Sequence, residues 1–481
     1  MEQQKINLTK GQEKCVSFVP EGDLLIRGIP GSGKSTVLLE RARFLQMKNS
    51  GTVLFLAYNK SLTTYIRQLS LKSGDQPVEA STFHQWGIHL LKELGVKNAR
   101  LIGDKHLEVM KYAFYTVRKR YVDASFPKMS SEKNQARQLI KFLMSEISWI
   151  KGNGIKSRDD YMNILRSGRG NQIKVSKEHR KTIYDVLEKY NEMLSSPQYR
   201  SIDFDDVALL LDQYAGEIPD DKKPDHILVD EAQDLTIMQL KAISKLAKKS
   251  LTIGADKGQQ IYHRNFSWKD IGIDVTKGRS KFLNETFRST QEIIRLAKDF
   301  QKHDETLLKD ENYTETVLPG ASGQIPILVE SDSLDKEVNT IVTLVERYQN
   351  NFPDDTIGVI GQSSKRLEKF SEALDEAGIP WIMVKEDETD MLTPGVKLVS
   401  YYSAKGLEFD HVIVTNLKKG FLPYKSPTPG IDEEDHLAAE RRKFFVAMTR
   451  AKYTLTISAV RPFSTFVEEL DEKLYKKIKL N

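Results

Sequence analysis

The stretch Gly28-Ile29-Pro30-Gly31-Ser32-Gly33-Lys34-Ser35-Thr36 constrains this chain more than any other part of it. A short apolar run, Leu24-Leu25-Ile26, enters it and an amphipathic run starting at Thr36 leaves it, so it reads as strand, phosphate loop, helix. Each fixed place in the pattern G-x-x-x-x-G-K-[ST] has a physical reason. Glycines let successive backbone N–H groups turn inward around a polyphosphate with no Cβ in the way. Lys34 reaches the β- and γ-phosphates, Ser35 offers a hydroxyl to Mg²⁺, and the positive end of the following helix adds to the same attraction. Nucleotide binding is the first implication.

A second stretch supplies what such a loop needs to do chemistry. His226-Ile227-Leu228-Val229 reads as a buried strand that ends in Asp230-Glu231. Asp230, at a strand's carboxyl end beside the loop, is placed to hold Mg²⁺, and Glu231 to orient and deprotonate an attacking water. Upstream, Thr9 precedes a helical pattern that contains Gln12 and Cys15, and the Gln12 amide has the donor and acceptor that suit the edge of an adenine, or else a surface position. After the strand Leu251-Thr252-Ile253-Gly254, Gln259 is a candidate γ-phosphate reader. Tyr262 and Trp268 are candidates for stacking on bases, with a place in the core as the alternative. Phe287-Arg288 offers an adenine-stacking ring and a charge-neutralising finger. Thr82 and His84 carry groups that contact phosphates, although a histidine there also suits a structural role.

At 481 residues the chain exceeds the roughly 100–200 of an average domain, so several folding units are expected. Its one cysteine, Cys15, excludes an internal disulfide framework and a multi-cysteine metal site. No apolar run approaches the roughly 20 residues that span a bilayer, and the first residues lack the apolar core of a signal peptide, so a cytoplasmic protein without membrane contact is expected. Net charge is +5 but unevenly spread: roughly twenty Lys and Arg face eleven Asp and Glu between residues 101 and 200. A polyanion partner and solvated helix faces account for that excess equally well.

Residues from about 96 to 200 show helical spacing, with Leu107, Met110 and Ala113 followed by Leu139, Ile140, Leu143 and Ile147. After about residue 291 an α/β beat starts again, through Ile327-Leu328-Val329, Ile357 to Ile360, Trp381 to Val384, Val396 to Ser400, His411 to Val414 and a last strand Thr454 to Ile457. No internal repeat stands out. The expected divisions are 1–95, 96–203 as a helical insertion, 204–280, and 281–481.

Together these segments resemble the ordered motifs of superfamily 1 helicases of the UvrD/Rep/PcrA type, across residues 8 to 451. The resemblance implies an α/β fold of two RecA-like P-loop domains, parallel sheets flanked by helices, with a mainly helical insertion in the first. It also implies a compact form without the large 2B insertion. It assigns adenine reading to Gln12, the phosphate loop to Gly28 through Ser35, and the base to Glu231. Gln259 becomes the phosphate sensor, Phe287 and Arg288 the adenine-stacking ring and arginine finger, Glu408 the ribose contact and Arg450 a second arginine. Tyr58, Asn59, Lys60, Thr82 and His84 fall on strand-contacting motifs. ATP and Mg²⁺ are the implied cofactors. The implied partner is single-stranded or partly duplex DNA, with 3′→5′ travel, and RNA is not excluded by these residues. Three places depart from the usual pattern: Ala57-Tyr58 before Asn59, Lys257-Gly258 before Gln259, and Tyr402 where His is usual. Alternative readings are a motor subunit for a separate nuclease, as in anti-phage systems, and a nucleotide-switched binding protein that unwinds nothing.

Overall fold

Val53-Leu54-Phe55-Leu56-Ala57 is apolar at every position, which suits a strand covered on both faces and not one with a wet side. The computed structural model describes residues 8–29, 31–48, 50–72, 77–128, 135–166, 169, 173–256, 268–285, 289–308, 318–384, 390–424 and 433–478. In it this run is β2 (Val53–Ala57), buried throughout. Its sheet contains β1 (Leu24–Gly28), β3 (Glu79–Thr82), β4 (His226–Val229), β5 (Ser250–Asp256) and β6 (Ser280–Leu283) in the order β3-β2-β4-β5-β1-β6, all parallel. The helix Lys34–Met47 crosses back over β1, β2, β4 and β5, and so its N-terminus and the Asp230-Glu231 end of β4 lie at the same edge.

A second parallel sheet contains β7 (Ile327–Ser331), β8 (Thr356–Gly361), β9 (Trp381–Met383), β10 (Gly395–Ser400), β11 (Phe409–Leu417), β12 (Ala451–Val460) and β13 (Lys476–Ile478), in the order β13-β7-β12-β11-β8-β10-β9. Two parallel sheets flanked by helices are the arrangement expected of RecA-like lobes. Two edge strands were not foreseen. β6 pairs with β1, so the first sheet continues past residue 280, and β13 pairs with β7 beyond the strand taken as the last.

Read in chain order, the two sheets also share one plan. Strands β1 to β6 correspond to β7, β8, β10, β11, β12 and β13, and β9 is an addition at one edge. Two RecA-like lobes thus repeat one topology although no sequence repeat stands out, and a short sequence echo goes with it. Asp225-His226 stands at the start of β4, and Asp410-His411 are the second and third residues of β11. The Asp225 carboxylate accepts from Thr52 N at 2.9 Å and Thr52 Oγ1 at 3.1 Å, while Thr52 Oγ1 accepts from Asp225 N at 2.9 Å. Asp410 and Thr356 repeat the clasp at 2.9, 2.7 and 3.0 Å. Each histidine then bonds a hydroxyl on the next strand through Nδ1, His226 to Ser250 at 2.7 Å and His411 to Thr454 at 2.8 Å.

Between β3 and β4 the helices His106–Arg118, Gln135–Gly152, Arg158–Asn163 and Lys177–Leu194 enclose a core of their own, including Phe114, Phe142, Ile147, Tyr161 and Leu187. The chain enters and leaves this unit through a bridge between Leu101 and Ile202. Among the described residues no helix is long and apolar enough to cross a membrane.

The clasp gives a test of the first sheet. Burial pushes the Asp225 carboxyl up, but the Thr52 hydrogen bonds together with Lys249 and Lys248 outweigh it and hold it at about 2. A folded-state value below the unfolded one of about 3.9 contributes stability that is present above about pH 4 and is lost as pH falls toward 2. Urea midpoints of wild type and Asp225→Asn should differ at neutral pH and converge as the pH is lowered from about 4 to about 2. A gap of unchanged size at the acid end would contradict the assignment.

Candidate functional site

At the mouth of β1, Gly33 adopts φ +77°, and a Cβ built on it would come within 2.7 Å of Gln12 Nε2. Only glycine fits there, because both the backbone conformation and the approach of the amide require it. Gly31 is also left-handed, at φ +76°. Gly33 caps the helix Lys34–Met47 without a side-chain hydrogen bond, which leaves the N-terminal N–H groups facing the loop. Lys34 Nζ donates to the carbonyls of Gly28 and Ile29 at 3.0 Å each. Ser32 is buried, and Ser35 and Thr36 are half-buried in the loop and first turn.

Gln12 closes the loop from the side. Its Oε1 accepts from Thr9 N at 2.9 Å and Thr9 Oγ1 accepts from Gln12 N at 3.3 Å, a reciprocal cap on the helix Lys10–Val16. Its Nε2 donates to the Ser32 carbonyl at 3.1 Å.

The Asp230 and Glu231 carboxyls at the end of β4 are shifted in opposite directions. Burial raises the Asp230 carboxyl and Glu231 adds to the rise, while a Ser35 hydrogen bond, the Glu231 N–H and Lys34 oppose it. Its Oδ2 is buried without a well-formed hydrogen bond among the described residues. An orphaned buried carboxylate oxygen beside a serine hydroxyl is the donor set that a hard divalent cation takes, so these residues fit Mg²⁺. Glu231 has φ +52°, and burial alone would raise its carboxyl. Lys405, Lys34, Arg450 and a hydrogen bond from Gln233 overcome that and hold it below the ordinary carboxylate range.

Two of those cations come from the second sheet. Lys405, in the turn before β11, pairs with Asp234 and stands 3.7 Å from Glu231 Oε2. Arg450, 4% exposed at the start of β12, is anchored by Nε to the Val446 carbonyl at 3.0 Å and by Nη1 to the Leu407 carbonyl at 3.2 Å. Glu408 is half-buried. Pro30, Gln259, Tyr262, Phe287 and Arg288 lie outside the described residues.

Beside this centre runs a groove of about 540 Å³ whose lining includes Tyr58, Asn59, Lys60, Thr82 and His84, five of the residues expected to meet nucleic acid. Several also have local duties. Asn59 Oδ1 accepts from Leu62 N at 2.7 Å and Asn59 Nδ2 donates to the Tyr402 carbonyl at 3.4 Å. Thr82 Oγ1 caps the helix Phe83–Glu93 through Gln85 N at 3.3 Å. His84 sits edge-on to Phe204 with ring centres 5.2 Å apart, and burial lowers its pKa. Trp268 does not join them. It lies half-buried in the turn Trp268–Ile271, packed against the core beside the first sheet, the alternative its ring left open.

Tyr402 and Phe204, 54% and 48% exposed, also line the groove and were not assigned from sequence. Phe204 carried a signal, an aromatic ring set among Asp203, Asp205 and Asp206. A second, mostly apolar cleft of about 610 Å³ adjoins it through Tyr58 and Tyr402, and Gln362, Ser363, Arg366 and Tyr424 lie on its walls. Lys405 connects the two chemistries, because its ammonium lies 5.2 Å from the centre of the Tyr58 ring.

A family model described as the UvrD/REP helicase N-terminal domain matches residues 8–271, and one described as the UvrD-like helicase C-terminal domain matches 282–389 and 385–462. A Mycoplasma pneumoniae protein named "Probable DNA helicase" is 22% identical over 481 residues, covering 93% of this chain and 83% of that one. The ATP-dependent DNA helicase PcrA of Leuconostoc citreum is 24% identical over 394 residues, covering 76% and 48%. DNA helicase II of Escherichia coli is 29% identical over 157 residues, covering 30% and 19%. The chain spans about half the length of several of the relatives it matches.

The Asp230 geometry makes a metal-specific prediction. Titrating ADP into Asp230→Asn should show affinity near that of wild type in EDTA, and loss of most of the gain that wild type shows on adding Mg²⁺. Equal Mg²⁺ enhancement in both proteins would remove Asp230 from the metal site.

Proposed function

Since this chain belongs to the UvrD/REP helicase family, we propose that it is an ATP-driven translocase and helicase that steps 3′→5′ along single-stranded DNA. One observation carries the reading: the Glu231 carboxylate of the first sheet is surrounded by Lys34 from its own loop and by Lys405 and Arg450 from the second sheet. A base whose charge is set from both sides responds to how the sides meet. In this reading residues 1–95 and 204–283 form the first motor lobe, 96–203 a helical insertion and 284–481 the second lobe, without a 2B unit.

ATP enters with its adenine toward Gln12 and Phe287, its ribose toward Glu408 and its phosphates on the Gly28–Ser35 loop and Lys34. Ser35 and Asp230 would hold Mg²⁺, which when bound neutralises charge on the phosphates. Gln259 senses the γ-phosphate. Glu231 takes the proton of the attacking water, and Arg288 and Arg450 neutralise the transferring phosphoryl group once the lobes close. Lys405 couples the site to the strand. While it pairs with Glu231 and Asp234 it restrains the base, and a strand stacked on Tyr58 and Tyr402 competes for the same ammonium. Strand binding thereby releases the base, and hydrolysis reopens the cleft for the next step.

Steady-state ATPase assays with and without single-stranded DNA, run beside strand displacement on 3′- and 5′-tailed duplexes, test this. Glu231→Gln should lower the stimulated kcat by at least about 100-fold, and Arg450→Ala should slow turnover by about 1,000-fold with nucleotide affinity kept. Unchanged stimulated turnover in Glu231→Gln would overturn the mechanism. Robust turnover without displacement from either tail would favour a motor or switch subunit that acts with another protein. Lys405→Ala should bring the ratio of stimulated to basal turnover close to one, and a preserved ratio would break the proposed coupling.

A further inference from the structure

Arg41, one of the largest wholly buried side chains, lies on the same helix as Lys34 and Ser35. Its guanidinium has no carboxylate partner among the described residues. Nε donates to Thr252 Oγ1 on β5 at 2.9 Å, Nη1 to the carbonyls of Cys15, Val16 and Phe18 at 3.3, 3.1 and 2.8 Å, and Nη2 to the Val19 carbonyl at 3.1 Å. Cys15 and Val16 end the helix Lys10–Val16, whose last carbonyls have no partner within the helix. A group this deep is normally a neutral one or half of an ion pair, because a desolvated charge is costly. Burial pulls the Arg41 pKa down to about 10, so the cation persists at neutral pH, balanced by carbonyl dipoles.

The geometry is that of a clip with two ends. The Gln12 helix is attached to the loop just before the Lys34–Met47 helix through Gln12 Nε2 and the Ser32 carbonyl, and to that helix itself through Arg41. Arg41 lies seven residues after Lys34, about 10 Å along a rigid helix. Two separated attachments fix an orientation where one would leave a pivot.

We propose that Arg41 is a positioning residue for nucleotide recognition: by clamping the carbonyl end of the Lys10–Val16 helix to the phosphate-loop helix and to β5, it sets where Gln12 meets the base. The inference rests on the reading of Gln12 as the adenine contact. Arg41 touches no nucleotide, so its effect falls on base-bearing ligands and spares those that are phosphate alone. Lysine cannot replace it, because one ammonium does not span Thr252 and four carbonyls that a planar fork reaches together.

The test uses the full chain and two competitive inhibitors of its ATPase, ADP and inorganic tripolyphosphate. In Arg41→Lys the Ki of ADP and the KM of ATP should rise about tenfold, while the tripolyphosphate Ki and kcat stay within about twofold of wild type. Gln12→Ala should raise the ADP Ki and the KM of ATP by at least as much, and adding Arg41→Lys to it should raise KM no further, since both act through one contact. Should Arg41→Lys fail to fold, Thr252→Val removes only the Nε acceptor and should give a smaller, still ADP-selective rise. Equal weakening of ADP and tripolyphosphate, or a full additional rise in the Gln12→Ala background, would overturn the clamp. An unaltered KM in Gln12→Ala alone would instead remove Gln12 as the adenine contact, and the clamp's purpose with it.

Discussion

A carboxylate buried between two sheets keeps its charge only if cations meet it there. For Glu231 the desolvation cost, several kcal/mol for an unpaired ion, is offset from both directions, by Lys34 on one side and by Lys405 and Arg450 on the other. Much of the surrounding structure serves that convergence. β4 must end at the same edge as β1, which parallel order provides, and Arg450 must be fixed at the start of β12, which the Val446 and Leu407 carbonyls do. The helix Lys60–Lys72 completes the seam. Leu62 lies under Gly406, where a Cβ would come within 2.8 Å of it, and Gln68 Oε1 accepts from Met391 N at 2.9 Å.

The basic excess between residues 101 and 200 had two readings, and the fold adds a third use. Arg166 and Arg169 both turn inward onto Glu146, which is fully buried and also accepts from Tyr161. Lys151 is buried against Asp203 and Asp206 at 2.7 Å each, joining the helical unit to the start of the helix Phe204–Tyr214. Arg180 caps the carbonyls of Tyr161, Met162 and Ile164. Part of the charge that a count assigns to the surface thus builds the interior, and Lys151 in particular holds the segment that presents Phe204 to the groove.

What was legible in the sequence follows from how each element is stabilised. The phosphate loop and the acid-ended strand could be read because backbone conformation and chemistry fix their residue types. The central strands could be read because burial on both faces demands unbroken apolar runs. β6 and β13 escaped because edge strands have one unpaired side and little need of apolar residues. Ser280-Lys281-Phe282-Leu283 and Lys476-Lys477-Ile478 are recruited by backbone pairing with β1 and β7. Tyr402 and Lys405 were visible as letters, but their neighbours, Tyr58 and Glu231, lie some 170 to 340 residues away in the chain, a distance no local pattern spans.

The shared strand plan ends in an inequality. β7 occupies the place in its sheet that β1 holds in the other, yet it leads into Asp332-Ser333-Leu334 and not into a glycine loop. Gly33 leaves the N–H groups of its helix open, whereas Ser333 fills the same position by accepting from Lys336 N at 3.2 Å, with the anionic Asp332 in front. Among the described residues the duplicated scaffold therefore leaves one of these two helix starts open to an anion and closes its counterpart with the helix's own serine.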